Sequence, residues 1–240
     1  MPKARPRSKV IADLVTANRI LADQGILDGY GHVSARCEDE PNEYYIGDAT
    51  PPGNVRAKNV FRWTLENEPA GHEQPTYGER FIHGQIYRAR PQVQAVVHCH
   101  APELVLFGAT GIPLRPIYHM AGFQGEEPLP VFEIRDEFGS ETDMLIRSNE
   151  QGAALARALG ERSAVLMRGH GATIVGRSVS QAVLFAVYAV INARIVMQAL
   201  AAGATPTYIN AAEGRGIARI LGDGGRAWEY LGRLAGATGD

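Results

Sequence analysis

Apolar residues recur along the chain with two different periods. In six stretches they return every three or four positions, which is the spacing of one helix face; these stretches are 8–26, 78–91, 102–111, 149–161, 178–203 and 208–235. Between them, short segments either alternate apolar with polar residues or are continuously apolar, which predicts strands. The first strand begins at Val33, and the others fall within 43–48, 60–65, 94–100, 129–133 and 163–176, the last as two strands about a tight turn.

Residues that begin and end helices support these bounds. Gly25 and Gly203 each follow a helical stretch, where glycine commonly adopts the left-handed conformation that ends a helix. Ser178 or Ser180 can cap the N-terminus of the longest helix, and Pro91 ends the second one.

Strands and helices alternate, and several strands come in hairpin-like pairs. No linker, repeat or low-complexity tract divides the sequence. This order predicts a single α/β domain over residues 1–240, with a mixed sheet covered by helices. Residues 1–8, which are rich in basic residues and proline, are expected to form a flexible arm.

The charge balance and the cysteine count exclude several function classes. A formal net charge of -2 lacks the basic excess typical of nucleic-acid binding. The N-terminus lacks the apolar core of a signal peptide, and we expect the chain to contain no apolar run of about 18 residues, the length needed to span a membrane. Cys37 and Cys99 are the only cysteines, and neither is part of a CxxC pattern. We therefore expect a cytoplasmic protein with no disulfide and with neither nucleic acid nor a membrane as a partner.

Two of the seven histidines stand at the end of one predicted strand, in the segment AVVHCHAPE. Alternate side chains of a strand share a face, so His98 and His100 project together while Cys99 points into the packing on the other side. A pair of imidazoles in this arrangement can chelate one metal ion. The alternative is that one histidine caps the next helix and the other is exposed.

Two further residues extend this candidate metal site. His170 follows an apolar strand between two glycines, which allow a sharp turn and leave the imidazole accessible. Glu79 begins the helix that leads into the strand bearing His98. Three imidazoles and one carboxylate suit Zn, Mn, Fe, Co or Ni. His83, four residues after Glu79, is expected to pack or hydrogen-bond on its helix rather than to bind metal.

Four segments, in this order and spacing, resemble the class II aldolase/adducin family. They are GERFIHGQIYRARPQVQAVVHCHAPE, IPLRPIYHMAGF, VLMRGHGATIVG and the long helix that follows. The resemblance implies a three-layer α/β/α fold with a largely antiparallel sheet, and a homotetramer with active sites at subunit boundaries. It also implies that His98, His100 and His170 hold a divalent metal ion and that Glu79 is both acid/base and ligand. We expect Mn2+, with Zn2+ as the alternative.

The chain departs from the sugar-phosphate aldolases of that family where they hold the phosphate. Their T-x-G-N-x-S loop reads GYGHVSAR here, with His32 in place of asparagine. Tyr77 and Gly78 replace a pair of serines, and Gly169, preceded by Arg168, replaces the asparagine of an N-H-G turn. The groups that cradle a phosphate are missing. The added imidazole, tyrosine and arginine suit a flat, anionic aromatic substrate better.

Within the family, the GHVS and RGHG segments resemble decarboxylases of hydroxylated aromatic or heteroaromatic acids. This implies a carbon–carbon lyase, with a hydroxypyridine dicarboxylate from vitamin B6 breakdown as the expected substrate. His32, Arg115 and Arg168 are the candidate substrate contacts, and Tyr118 or His119 is expected to reach the active site of a neighbouring subunit. The alternatives are an aldolase acting on a non-phosphorylated substrate, an adducin-like binding module, and an iron oxygenase.

Overall fold

The strands pair largely as the predicted hairpins require. The computed structural model describes residues 7–237, and its strands are β1 His32–Arg36, β2 Glu43–Gly47, β3 Val60–Thr64, β4 Ala95–Cys99, β5 Val131–Phe132, β6 Ala164–Met167 and β7 Gly171–Gly176. They form one sheet in the order β3-β2-β1-β4-β7-β6-β5. All neighbours are antiparallel except β5 and β6, which run parallel. The sheet is therefore mixed and largely antiparallel, as the family resemblance implies.

Seven of the eight helices in the described residues correspond to the six stretches with helical spacing, because the last stretch holds two helices, and one short helix is added. They are α1 Arg7–Asp23, α2 Arg80–Ala89, α3 Pro102–Thr110, α4 Arg135–Phe138, α5 Asn149–Leu159, α6 Val179–Ala201, α7 Ala211–Leu221 and α8 Gly225–Leu234. Three 3-10 segments, Pro52–Asn54, Ala57–Asn59 and His119–Gln124, were not predicted, and neither was α4. Residues 1–6 of the predicted arm lie outside the described residues, whereas Arg7 and Ser8 belong to α1.

The predicted helix ends are confirmed. Gly25 and Gly203 have φ angles of 65° and 71°, which place both in the left-handed region. Ser178, rather than Ser180, caps α6, because its side chain accepts a hydrogen bond from the backbone N–H of Gln181.

Apolar side chains form a separate core on each face of the sheet, which gives the three-layer α/β/α architecture. One core joins the sheet to α1, α3 and α6 and includes Cys99. The other joins the opposite face to α2 and α5. Since α2 lies on one face and precedes β4 in the chain, Glu79 and the histidines of β4 can meet at one end of the sheet.

Helix α6 corrects one expectation from the sequence. By length and composition it could cross a membrane, with a mean hydropathy of 1.8, but half of that stretch is buried inside the molecule. It packs against β4 and β7 on one side of the sheet and against α1 and α3. The long apolar run is explained by this packing, since a helix covered by several elements is apolar around most of its circumference.

Candidate metal centre

Four side chains that could hold a metal ion meet where β4 ends and β6 turns into β7. Glu79, His98, His100 and His170 each offer one ligand atom, and these atoms lie within 4.8 Å of one another. The Nε2 atom of His100 lies 3.1 Å from that of His98 and 3.2 Å from that of His170. Oε2 of Glu79 lies 3.5 Å from Nε2 of His98 and 3.4 Å from Nε2 of His170. The structure thus brings together the four residues predicted as metal ligands.

Strand geometry accounts for the histidine pair. His98 is fully buried in β4 and lies opposite His32 of β1 and Thr173 of β7. His100 follows the end of the strand, and its imidazole turns to the same side as that of His98. Cys99 projects to the opposite face and lies in the core with α6, as the two-residue period of a strand requires.

Two glycines position His170. Gly169 has a φ angle of 67°, a conformation that other residues adopt rarely. A Cβ atom at Gly171 would lie 2.0 Å from the carbonyl oxygen of Cys99, so only glycine allows this close approach. The turn therefore rests against the end of β4, which brings the His170 imidazole to the histidine pair.

The loop before α5 orients two of the ligands through its backbone. The carbonyl of Met144 lies 2.9 Å from Nδ1 of His170, and a carbonyl only accepts, so Nδ1 carries the hydrogen. The lone pair of His170 then lies on Nε2, which faces the other ligand atoms. The backbone N–H of Ile146 donates to Oε1 of Glu79 at 2.9 Å, which leaves Oε2 facing the imidazoles. Sequence reasoning missed both contacts, because backbone groups carry no residue-type signal.

A pair of substitutions at Met144 tests this orientation. Met144 has a φ angle of 66°, which strains a β-branched residue but suits glycine. In Met144→Val we expect the metal dissociation constant to rise about 10- to 100-fold, the usual effect of losing a contact that orients a ligand. Met144→Gly retains the carbonyl and should bind metal as the unmodified protein does. Competition with a chelating dye measures both, and equal affinities in the two variants would exclude an orienting role for this loop.

Burial and neighbouring charges set the protonation of the cluster. Burial lowers the pKa of His100 to about 4, assisted by His98 and His170, so its imidazole is neutral near pH 7. Burial raises the pKa of Glu79, but hydrogen bonds and attraction from His170 and His98 outweigh it and leave that pKa well below its ordinary range. Burial lowers the pKa of His170, but the hydrogen bond and attraction from Glu79, together with the Met144 carbonyl, outweigh burial and leave that pKa above its ordinary value. An anionic carboxylate facing three imidazole nitrogens fits a divalent cation.

The two arginines predicted to bind substrate already have partners. Arg168 pairs with Glu133, at 2.7 Å from Nε and 3.2 Å from Nη2. Arg115 donates from Nε to the carbonyl of Glu126, and its guanidinium lies over the ring of Tyr208. Neither arginine is part of the four-residue cluster. A contact between either of them and a substrate stays a prediction.

Tyr118 and His119 lie outside the four-residue cluster of this chain. The backbone N–H of Tyr118 donates to Oδ1 of Asn192, a buried residue of α6. This hydrogen bond fixes the start of the 3-10 segment His119–Gln124. His119 lines a groove with residues of α6, α7 and α8. The predicted contribution of either residue to a neighbouring subunit is not tested by a single chain and stays a prediction.

Two other predicted residues lie against each other beside the cluster. The ring of His32 lies next to that of His98, with centroids 5.0 Å apart. His83 is fully buried and outside the metal cluster, as predicted, but its partners are His32 and Ser34 of β1 rather than groups on its own helix.

Comparison with known proteins finds similar chains at the level of sequence and of structure. The sequence model of the family described as class II aldolase and adducin N-terminal domain matches residues 12–197. Decarboxylase tropJ of Talaromyces stipitatus is 36% identical over 203 residues, which cover 79% of this chain and 76% of that protein. The 3,4-dihydroxyphthalate decarboxylase of Arthrobacter keyseri is 30% identical over 206 residues, covering 79% and 78%. The solved structure of L-fuculose 1-phosphate aldolase from Glaciozyma antarctica has a TM-score of 0.78 at 20% identity, covering 98% and 95%, and supports the fold alone.

Proposed function

The chain belongs to the class II aldolase and adducin family, and from that premise we propose that it is a metal-dependent lyase that decarboxylates a hydroxylated aromatic acid. The observation that carries the proposal is the complete donor set of one carboxylate and three imidazoles within 4.8 Å. An adducin-like binding module has no need of these ligands. The names of the relatives, which are decarboxylases, support the reaction type.

We propose a substrate with three adjacent ring substituents. In 3,4-dihydroxyphthalate, the compound in the name of one relative, the carboxylate at C2 lies between a hydroxyl at C3 and a carboxylate at C1. In 3-hydroxy-2-methylpyridine-4,5-dicarboxylate, the vitamin B6 breakdown product that the sequence favours, the carboxylate at C4 has the same two neighbours. The shared feature is a ring oxygen beside the departing carboxylate, with a second carboxylate on its other side.

The ring oxygen makes the reaction feasible. After the ring hydroxyl has lost its proton to solvent, a proton added to the ring carbon that bears the departing carboxylate converts the neighbouring C–O carbon into a ketone. The carbon–carbon bond then breaks, CO2 leaves, and the electron pair enters the ring to restore the aromatic phenolate. His98, His100 and His170 would hold a divalent ion, which would supply Lewis-acid stabilisation for the negative charge that develops on the substrate. The protein must also deliver the proton and hold the ring in place.

We propose that Glu79 delivers the proton. Its Oε1 atom is held by the backbone N–H of Ile146, and its Oε2 atom faces His98 and His170. Burial by itself raises the pKa of this carboxyl, and hydrogen bonds and attraction from His170 and His98 lower it. A Glu79 side chain released from those imidazoles therefore has a higher pKa, which is the direction that general acid catalysis requires.

A panel of three acids tests the substrate class. Protein reconstituted with Mn2+ or Zn2+ is incubated with 3,4-dihydroxyphthalate, with the pyridine dicarboxylate, and with phthalate, which has no ring hydroxyl. We expect at least one of the first two to lose one carboxylate and phthalate to remain unchanged, as shown by liquid chromatography and mass spectrometry. No decarboxylation of the three acids, together with cleavage of a non-phosphorylated β-hydroxyketone to an aldehyde, would instead favour the aldolase alternative.

The assembly and the location of the protein are further proposals. We propose a homotetramer in the cytoplasm, with Tyr118 or His119 contributing to the active site of a neighbouring subunit. Family membership supports this assembly. Light scattering that gives the mass of four chains would agree with it, and a monomer with full activity would contradict it.

A further inference from the structure

Four buried side chains of β1 and α2 form a continuous hydrogen-bonded chain beside the metal cluster. Nδ1 of His32 lies 2.6 Å from Nε2 of His83, and Nδ1 of His83 lies 2.6 Å from Oγ of Ser34. Oγ of Ser34 lies 2.7 Å from the hydroxyl of Tyr87. The exposed fraction of each side chain is at most 3%. These four residues are called the β1–α2 chain below.

The β1–α2 chain connects the metal cluster with the interior. At its outer end, His32 lies opposite His98 in the sheet, and its ring packs between those of His98 and Tyr77, at 5.0 and 4.7 Å. At its inner end, the Tyr87 ring lies under the guanidinium of Arg36. Nε2 of His32 has no hydrogen-bond partner among the residues that the structure describes. It is therefore the nitrogen left to contact a ligand.

The direction of the hydrogen bonds follows from Tyr87. Among the described residues, Ser34 Oγ is the acceptor available to the Tyr87 hydroxyl hydrogen, and a buried donor without an acceptor is unfavourable. Tyr87 therefore donates to Ser34, and the Ser34 hydroxyl donates to Nδ1 of His83. His83 then carries its hydrogen on Nε2 and donates it to Nδ1 of His32. The hydrogen of His32 must be on Nε2.

Every other arrangement of the hydrogens in the β1–α2 chain leaves one buried donor without an acceptor. If Nδ1 of His32 carried the hydrogen, His83 would accept it at Nε2 and donate from Nδ1 to Ser34. Ser34 would then donate to Tyr87, and the Tyr87 hydrogen would lose its acceptor. A positively charged His32 or His83 forces the same outcome, because both ring nitrogens then donate. Neutral imidazoles agree with the burial that lowers the pKa of His83 to about 3.

We infer that the β1–α2 chain fixes His32 as a hydrogen-bond donor at Nε2 and so selects a ligand that presents an acceptor oxygen, a phenolate or a carboxylate, next to His98. His32 is the contacting residue, and His83, Ser34 and Tyr87 are positioning residues that act through it. For the identity of the ligand this inference rests on the proposed function. The arrangement explains why an imidazole can replace the asparagine of the phosphate-binding loop: it offers one N–H of fixed direction to a planar acid.

Nuclear magnetic resonance of histidine tautomers tests the direction of the hydrogen bonds in the β1–α2 chain without reference to activity. Zn2+-loaded protein labelled with [15N]histidine gives long-range 1H–15N correlations that identify which ring nitrogen carries the hydrogen. His32 is assigned from the signals missing in His32→Gln. We expect a neutral imidazole with the hydrogen on Nε2. A hydrogen on Nδ1, or on both nitrogens, would overturn the inference even if the protein is an active decarboxylase.

Two tyrosine variants test the role of the β1–α2 chain in binding the substrate. Tyr87→Phe removes the hydroxyl that sets the direction, so both His32 tautomers should appear and KM for the decarboxylated acid should rise about fivefold with kcat little changed, as for one hydrogen bond lost. Tyr44→Phe is the matched control: its hydroxyl donates to Asn67 and its ring stacks on His83, but it is not part of the chain. It should leave the tautomer and KM unchanged. Equal behaviour of the two variants would contradict the inference.

Two substitutions of His32 test its role as a donor. His32→Gln retains an N–H donor close to the position of Nε2, whereas His32→Leu fills a similar volume without one. We expect both variants to keep their metal, and KM to rise much less in His32→Gln than in His32→Leu. Equal KM values would overturn the donor role. If the unmodified protein decarboxylates no acid in the panel, the proposed function fails. The tautomer result still decides the direction of the hydrogen bonds in the β1–α2 chain.

Discussion

Replacing His98 by alanine is expected to remove bound metal and decarboxylase activity together. His98 is fully buried in β4, and its Nε2 lies 3.1 Å from that of His100, so the rigid strand offers no substitute for the lost nitrogen. Lewis-acid stabilisation is worth several kcal/mol, so the rate should fall about 10³-fold or more. His100→Ala and His170→Ala should behave alike. Plasma mass spectrometry gives the metal content, and CO2 release gives the rate.

The control for this series is His72→Ala. His72 lies outside the cluster, where its Nε2 contacts the carbonyl of Arg62, and its loss should leave metal content and rate near those of the unmodified protein. Full activity of His98→Ala, by contrast, would show that the metal site has been assigned wrongly.

Replacing Glu79 by glutamine is expected to separate metal binding from catalysis. Glutamine keeps one carbonyl oxygen that can accept from the Ile146 N–H, but its NH2 group then faces the cluster and can neither bind the metal nor deliver a proton as an acid does, so the three imidazoles alone hold the metal. General acid–base catalysis contributes about 10²- to 10⁴-fold, so kcat should fall by that factor while most of the metal is retained. Stopped assays of kcat and metal analysis of the same samples measure the two effects. A loss of kcat that merely follows the loss of metal would make Glu79 a ligand only.

The fold could be predicted largely from local patterns. Period and cap signals placed α1, α2, α3, α5 and α6 to within a few residues, because a long helix repeats its pattern several times. The four residues of α4 are too few to show a period, whereas β5 lies within the strand predicted at 129–133. Composition alone could not predict the environment of α6, because a helix covered by a membrane and a helix covered by the rest of the protein have similar runs of apolar residues.

The metal ligands could be predicted because each has a local signal. His98 and His100 share a strand face, and glycines surround His170. The residues around them could not, since their contacts join distant parts of the chain. His83 and Ser34 are separated by 49 positions and hydrogen-bond across two elements. The Met144 carbonyl and the Ile146 N–H orient ligands 26 and 67 positions away, and any residue type supplies the same groups.

The candidate arginines show a different limit. A guanidinium near a site in sequence says nothing about the acids that will compete for it. Arg168 follows β6 directly, yet Glu133 binds it through two hydrogen bonds. The neutral N–H of His32 is, among the residues that the structure describes, the better placed contact for an acidic ring. Its position beside His98 came from the pairing of β1 with β4, which a single sequence does not reveal.

Metal-dependent release of CO2 tests the central claim most directly. Protein stripped of metal, and the same protein reconstituted with Mn2+, are mixed with 3,4-dihydroxyphthalate and with 3-hydroxy-2-methylpyridine-4,5-dicarboxylate, and CO2 is followed by membrane-inlet mass spectrometry. We expect one CO2 per molecule of at least one acid from the reconstituted protein, and none from stripped protein or from reconstituted His98→Ala. Equal release with and without metal, or none from fully metallated protein, would contradict it.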